Sequence, residues 1–218
     1  MHTHTEENYL KAIYRIHEST GDSVSTTAIA EKLQINAASV TDMFKKLGQQ
    51  KLVVYEKSRG VKPTEKGRKV ALQILRKHRL WETFMVEMLK FSWDEVHEVA
   101  EQLEHVHSDV LIERLDQLLG YPKFDPHGDP IPDKNGKMPV LDSILLSEGK
   151  IGQTYRISGV SENSGTFLKY LNKIGLAPGS QVKILEVEEF DASMKLLIGN
   201  KEEIILSRQA AANLSVTS

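Results

Sequence analysis

The apolar residues of this chain change period partway along it, and that change narrows the available folds more than any other feature. Up to residue 119 they recur every three to four positions, as amphipathic helices require. Gly120-Tyr121-Pro122-Lys123-Phe124-Asp125-Pro126-His127-Gly128-Asp129-Pro130-Ile131-Pro132 then forms a Pro/Gly-rich loop, and residues 133–147 read as a linker. Beyond it come short strand-like runs: Thr154-Tyr155-Arg156-Ile157, Gln181-Val182-Lys183-Ile184-Leu185, Lys195-Leu196-Leu197-Ile198 and Glu203-Ile204-Ile205-Leu206. A short helix, 166–174, lies among them, and Gly159, Gly165, Pro178-Gly179 and Gly199-Asn200 punctuate the region. A helical first part therefore precedes a five-stranded, SH3-like small β-barrel. With 218 residues there is room for one large domain or two to three small ones.

Within the helical part, Thr5 can cap a first helix, 6–18, whose stripe is Tyr9, Leu10, Ile13 and Ile16. Ser25 or Thr26 caps a short helix ending at Leu33, and Gln34-Ile35-Asn36 makes a turn. Asn36 caps a third helix that buries Val40, Met43, Phe44 and Leu47. Two short helices joined by a tight turn, with small and hydroxyl residues opening the second, read as a helix-turn-helix. Small side chains let such a helix approach the DNA major groove, where hydroxyls and lysines meet base edges or phosphates. The residues expected at DNA are Thr26, Ala37, Ala38, Ser39, Thr41, Asp42, Lys45 and Lys46. Two short strands, 52–56 and 60–63, then flank a turn, making a β-wing whose Lys57 and Arg59 can track a phosphate backbone.

The net charge of -2 conceals an uneven distribution. Residues 1–75 carry twelve Lys/Arg against eight Asp/Glu, and residues 76–149 carry eight against fifteen. A polyanion-binding part followed by a cation-binding part fits that asymmetry. Zero cysteines exclude disulfides, thiolate metal sites and Cys nucleophiles. No apolar run approaches the roughly 18 residues of a membrane span, and no leader pattern opens the chain, so a cytoplasmic protein is expected.

The acidic middle holds the candidate ligands. A helix from His97 to about Ser108 would place His97, Glu101, Glu104 and His105 within one arc, with Val99, Leu103, Val106 and Val110 packing on another. His78 and Glu82 stand one turn apart on a long helix opening at Thr64-Glu65. The proline loop pre-positions Asp125 and His127. Carboxylates and imidazoles converging in this way can hold a divalent cation, although a solvated acidic face has the same composition. A final helix, 110–119, is apolar enough to pack against another subunit.

Taken together, these residues resemble the diphtheria toxin repressor (DtxR/MntR) family of metal-dependent regulators, over nearly the whole length. The resemblance rests on Glu7-Asn8-Tyr9-Leu10-Lys11-Ala12-Ile13-Tyr14, on Arg76-Lys77-His78-Arg79-Leu80, and on Glu104-His105-Val106 followed by Ser108-Asp109. Tyr121-Pro122-Lys123, Pro126-His127-Gly128 and Ile131-Pro132 look like the long, three-domain, manganese-sensing members. It implies a homodimer that binds palindromic double-stranded operators when metal-loaded and represses metal-uptake genes. Its domains would be a winged helix (1–72), a helical dimerisation and metal-binding domain (73–140) and an SH3-like, FeoA-like domain (148–218).

The resemblance also implies two metal sites. One would use His78, Glu82 and His97, completed by Asp125 and His127. The other would use Glu101, Glu104, His105 and the first-helix position held here by Asn8, where the family usually has Met or Asp. Glu162, or its neighbour Asn163, stands nearest to an acidic ligand that the family's C-terminal domain can supply. Iron-sensing relatives tend to carry Cys at position 101 and manganese-sensing ones Glu. Glu101 without any thiolate therefore favours Mn²⁺, then Fe²⁺, while Zn²⁺ or Co²⁺ can bind more tightly in vitro.

Metal would tie the first helix to the long helices and fix the spacing of two recognition helices at about one DNA turn or a multiple. Two rivals remain at this point. One is a metallohydrolase, because His97-Glu98-Val99-Ala100-Glu101 and Glu101-Gln102-Leu103-Glu104-His105 approach H-E-x-x-H and H-x-x-E-H; each has Glu where a His ligand is required. The other is a DNA-binding regulator with vestigial ligands.

Overall fold

A computed structural model describes residues 2–199 and 202–218, and the chain folds into two compact units. The first runs to His78 and adds Glu101–Ile112 and Pro132–Met138; the second comprises Arg79–Ala100, Glu113–Ile131 and Pro139–Ser218.

The first unit opens with α1 (His4–Thr20). Thr3, not the expected Thr5, is the N-cap, because Glu6 three positions on closes a capping box: the Thr3 hydroxyl accepts the Glu6 amide and Glu6 accepts the Thr3 amide. The helices α2 (Thr26–Leu33) and α3 (Ala37–Gln49) are capped by Ser25 and Asn36 as their sequences suggest. Gln34, at φ 55°, supplies the left-handed turn between them. Strands β1 (Val53–Glu56) and β2 (Gly60–Pro63) pair antiparallel from Val53↔Pro63 to Glu56↔Gly60, forming the wing. Gly60 has φ +96°, and a Cβ there would lie 2.2 Å from the Val24 carbonyl oxygen, so the base of the wing requires glycine.

Leu10, Ile13, Ile29, Val40, Phe44, Leu47, Leu52, Val61, Leu72 and Leu75 form this unit's core. Each large side chain removed from water contributes about 1.5–3 kcal/mol before entropy is counted. Met138, from the stretch expected to be only a linker, packs against the same core.

The long α4 (Glu65–Glu87) begins in the first unit and ends in the second. It is followed by α5 (His97–Leu103) and α6 (Asp109–Leu118). The expected helix to Ser108 therefore stops early, and residues 104–105 form a turn. The reason is burial. Glu104 and His105 are buried, whereas Val99, Leu103 and Val106 are not fully so and Val110 is 66% exposed. A continued helix would keep all four ligand candidates on one arc; the turn carries Glu104 and His105 inward instead.

The second unit is built on an antiparallel sheet of order β3-β8-β4-β5-β6-β7. Its strands are β3 (Ile144–Leu145), β4 (Thr154–Val160), β5 (Gln181–Val187), β6 (Met194–Ile198), β7 (Glu202–Leu206) and β8 (Leu214–Thr217). The helix α7 (Gly165–Lys173) is capped by Ser164, and a short α8 (Arg208–Ala211) precedes β8. Six strands replace the expected five. Two-residue β3 lies inside the expected linker, next to the fully buried Leu146, and the four-residue β8 buries Leu214 and Val216 between β3 and β4. Gly199 keeps its turn position at φ 52°, while Asn200 lies outside the described residues. Among the described residues no helix is long and apolar enough to cross a membrane.

Candidate metal centres and DNA-contacting face

In the first unit the candidate ligands converge, but on a lysine. Lys11 Nζ donates to Glu101 Oε1 at 2.6 Å and to Glu104 Oε1 and Oε2 at 2.7 and 2.8 Å. Position 11 lies one turn beyond Glu7 on the buried face of α1, which also carries Leu10 and Tyr14. Glu104 is fully buried and also faces His78, whose Nδ1 is 2.7 Å from Glu104 Oε2. His105 Nδ1 stands 2.6 Å from Glu7 Oε2, with His107 Nε2 3.6 Å from the other Glu7 oxygen. The His4 ring stacks on His105 with centroids 4.4 Å apart. Asn8 is half-buried, and its Oδ1 is buried without a hydrogen-bond partner. An acceptor oxygen left unmade in this way costs about 1–3 kcal/mol, so a cation ligated there would satisfy it.

Sequence reasoning missed Glu7 and Lys11. The signal for both was present in α1's periodicity: two charged residues on a face otherwise made of Leu10, Ile13 and Tyr14 must have partners when buried.

The second unit holds a different set. Glu82, on α4, meets Asp125 and His127 of the proline loop; all three are buried, and one ligand atom from each lies within 4.8 Å of the others. His97 Nδ1 is 3.2 Å from Glu82 Oε1, and His127 Nδ1 is 3.7 Å from Glu82 Oε2. His127 Nε2 sits 2.7 Å from the Trp93 carbonyl, which can only accept, so a neutral ring carries its proton there, the tautomer a metal ligand needs. Nδ1 faces Glu82, to which it donates when the ring is protonated, and a metal would displace that proton. Asp125 Oδ1 accepts the His127 and Asp129 amides at 2.8 and 2.9 Å, leaving the buried Oδ2 without a hydrogen bond.

Burial, with Asp129 and Glu82 nearby, pushes the Asp125 carboxyl up to about 7, against the opposing pull of His127 and Arg79. Burial works to lower the His127 value, but its hydrogen bond and charge attraction to Glu82, with Asp125 behind, raise it overall. A buried carboxyl that resists ionising alone, beside a second carboxylate and an imidazole, makes a site a divalent cation fits.

The loop is held from two sides. Arg79 donates to the Pro130 carbonyl and to Asp129 Oδ2, and its Nε lies 3.7 Å from Asp125 Oδ2. Behind it, the His127 carbonyl accepts the Val160 amide of β4 at 2.9 Å. Gly128, at φ +87°, approaches so closely that a Cβ would lie 2.0 Å from the Ser158 carbonyl oxygen. Trp93 Nε1 donates to Asn172 of α7 at 2.5 Å. The small sheet thus braces the residues that position Asp125 and His127. Glu162, by contrast, is exposed and accepts the Ser164 amide at 2.8 Å as part of the α7 cap. The buried unpartnered amide oxygen in that stretch belongs to Asn163.

On the winged helix, Ala37, Ala38, Ser39, Asp42, Lys45, Lys57 and Arg59 are exposed, as is most of the Lys46 side chain, while Thr26 and Thr41 are half-buried. Thr41 Oγ1 donates back to Ala37. Three of the basic side chains already have carboxylate partners: Lys45 with Asp42 at 2.9 Å, Lys46 with Glu6 at 3.2 Å, and Arg59 with Glu56 at 3.7 Å. Burial would raise the Glu6 value, but hydrogen bonds from the Thr3 backbone, Gln50 and Lys46 hold it at about 2.

A winged helix followed by buried His/carboxylate clusters and a small antiparallel sheet defines the class of metal-responsive DNA-binding proteins. Residues 1–61 match the Iron dependent repressor, N-terminal DNA binding domain; residues 64–133 match the Iron dependent repressor, metal binding and dimerisation domain; residues 144–218 match the FeoA domain. The iron-dependent repressor IdeR of Mycobacterium bovis is 36% identical over 59% of this chain. The alignment spans 55% of that protein, about half the length of the curated relative. The transcriptional regulator MntR of Oceanobacillus iheyensis is 35% identical over 57% of this chain and 84% of its own. A solved manganese-dependent transcriptional repressor in complex with manganese superposes with a TM-score of 0.86 at 36% identity, covering 98% of this chain and 99% of that one. The chain belongs to this family of metal-dependent transcriptional repressors.

Proposed function

We propose that this chain is a manganese-dependent repressor that acts in the cytoplasm as a homodimer on palindromic operators and controls metal uptake. The observation carrying the proposal is the Glu82, His97, Asp125 and His127 cluster, all oxygen and nitrogen donors, in a chain without cysteine. His78, one turn before Glu82 on α4, and Glu101, Glu104, His105 and Asn8 complete the proposed ligand set. A bound divalent cation would draw the Glu82 and Asp125 carboxylates together with His127. Glu82 belongs to a helix and the other carboxylate to a loop, so drawing them together selects one loop position. A dimer needs recognition helices about one DNA turn apart, and operator affinity rises by the preference for that spacing. The domain organisation is proposed as 1–72, 73–140 and 148–218.

Fe²⁺ is the second candidate, favoured by the iron-dependent relatives and by a donor set that accommodates it. The proposal is of a regulator rather than an enzyme, since Glu101 stands where each metallohydrolase motif needs histidine. The test is fluorescence anisotropy with chelator-stripped protein and operator fragments enriched from its own genome. Tight binding that appears with Mn²⁺ and reverses with chelator is expected; equal binding with and without metal would sink the proposal. Anaerobic Fe²⁺ in the same assay separates the two metals. A Lys57→Ala variant is expected to reduce the slope of log affinity against log salt by about 1, as one phosphate contact does.

A further inference from the structure

We propose that Lys11 is a tethered cation that occupies the Glu101/Glu104 cluster in the metal-free chain and competes with a metal ion there, making this the weaker of the two metal classes. The proposal rests on the metal-dependent reading above. Its ground is geometric: the Nζ ammonium, with three protons to donate, lies 2.6, 2.7 and 2.8 Å from three carboxylate oxygens, one of Glu101 and both of Glu104. Its side chain is 8% exposed, so the ammonium exchanges its water for these two glutamates. His78 Nδ1 closes on Glu104 from another side at 2.7 Å.

Charge gives the same answer. Glu101 and Glu104 together match one divalent cation, but with Lys11 between them half of that charge is already balanced. A metal entering the cluster must expel the ammonium or tolerate a like charge in contact. At the Glu82/Asp125 cluster the side-chain cation that faces Asp125 is a guanidinium rather than an ammonium. That cation, Arg79, flanks Asp125 and donates to Asp129 and the Pro130 carbonyl. Lysine fits the role better than arginine would, since a compact ammonium on a flexible stem can be withdrawn.

The experiment is a Mn²⁺ titration of the full-length chain, followed by electron paramagnetic resonance of free Mn²⁺. The wild type is expected to show a tight class, removed by Glu82→Gln, and a weak class. Lys11→Met and Lys11→Gln are expected to tighten the weak class at least tenfold and leave the tight one unchanged. Pulsed amine acylation read by mass spectrometry applies the test to the wild type itself. Lys11 should be inert without metal and become several-fold more reactive when the weak class fills. Unchanged weak-class affinity in both variants, or unchanged Lys11 reactivity at saturation, overturns the proposal while leaving the repressor reading intact. A wild type that binds Mn²⁺ in neither class overturns both.

Discussion

In the first unit two glutamates close around a lysine of their own chain, whereas in the second Glu82, Asp125 and His127 converge with a guanidinium, Arg79, beside Asp125. The first cluster has half of its Glu101/Glu104 charge balanced by Lys11 as it folds. The second concentrates negative charge in a buried place and records that in the raised Asp125 value of about 7. The difference teaches that the same residue types make a structural ion-pair network in one place and a candidate cation site in another. A lysine on a neighbouring helix makes the first of these.

The largest expected effect comes from deleting that lysine. Lys11→Met should cost the metal-free chain about 3–5 kcal/mol in urea unfolding, because Glu104 is left as a buried charge without its main partner. A loss below about 1 kcal/mol would mean that His78 alone satisfies Glu104 and the contrast between clusters is weak. Next comes Gly128→Ala, which strains a positive φ and drives a Cβ into the Ser158 carbonyl. It should weaken Mn²⁺ binding at the Glu82 cluster by about 10–100-fold, as lost support of metal ligands does, without disturbing the Lys11 contacts.

A third effect is that of pH on the same cluster. Metal needs Asp125 ionised and His127 neutral, so Mn²⁺ affinity there should fall as pH drops below about 7, by about tenfold per pH unit for each of the two protons that binding must displace, read in buffered titrations. The folding linkage has a definite sign. Asp125 is raised from 3.8 to about 7, so its contribution to metal-free stability is fully present below 3.8 and is lost as pH rises through about 7. His127, also raised, acts in the same direction. Unfolding midpoints without metal should therefore fall as pH rises from 3.8 through about 7, and saturating Mn²⁺ should reverse the trend. The smallest effect is Thr3→Ala, which removes one half of the α1 capping box and should cost about 1 kcal/mol by thermal unfolding. Because α1 carries both Glu7 and Lys11, that loss should perturb the first cluster and spare the second.

Much of the architecture was legible from local pattern. Ser25, Asn36 and Ser164 cap where their sequences suggest, since a cap depends only on a side chain and the next three amides. The wing followed from two short apolar runs around a polar turn. The ends of α1 and α5 were less legible. Thr3 and Thr5 are equally good caps until Glu6 chooses between them, and α5 stops because Glu104 and His105 find partners 93 and 98 residues away. Strand β3, at two residues, is too short to carry a period, and its pairing with β8 alone makes it a strand.

The sequence by itself determined the winged helix, the donor types and the absence of thiolate, because these depend on residue identity and spacing within a turn or two. Only the tertiary structure decided which carboxylates meet which cations. Lys11 reaches Glu101 and Glu104 across 90 and 93 positions, and Glu82 meets Asp125 and His127 through a loop pinned to β4. Electrostatic partnership is set by distance in space and by loss of water, and neither is a property of separation along the chain.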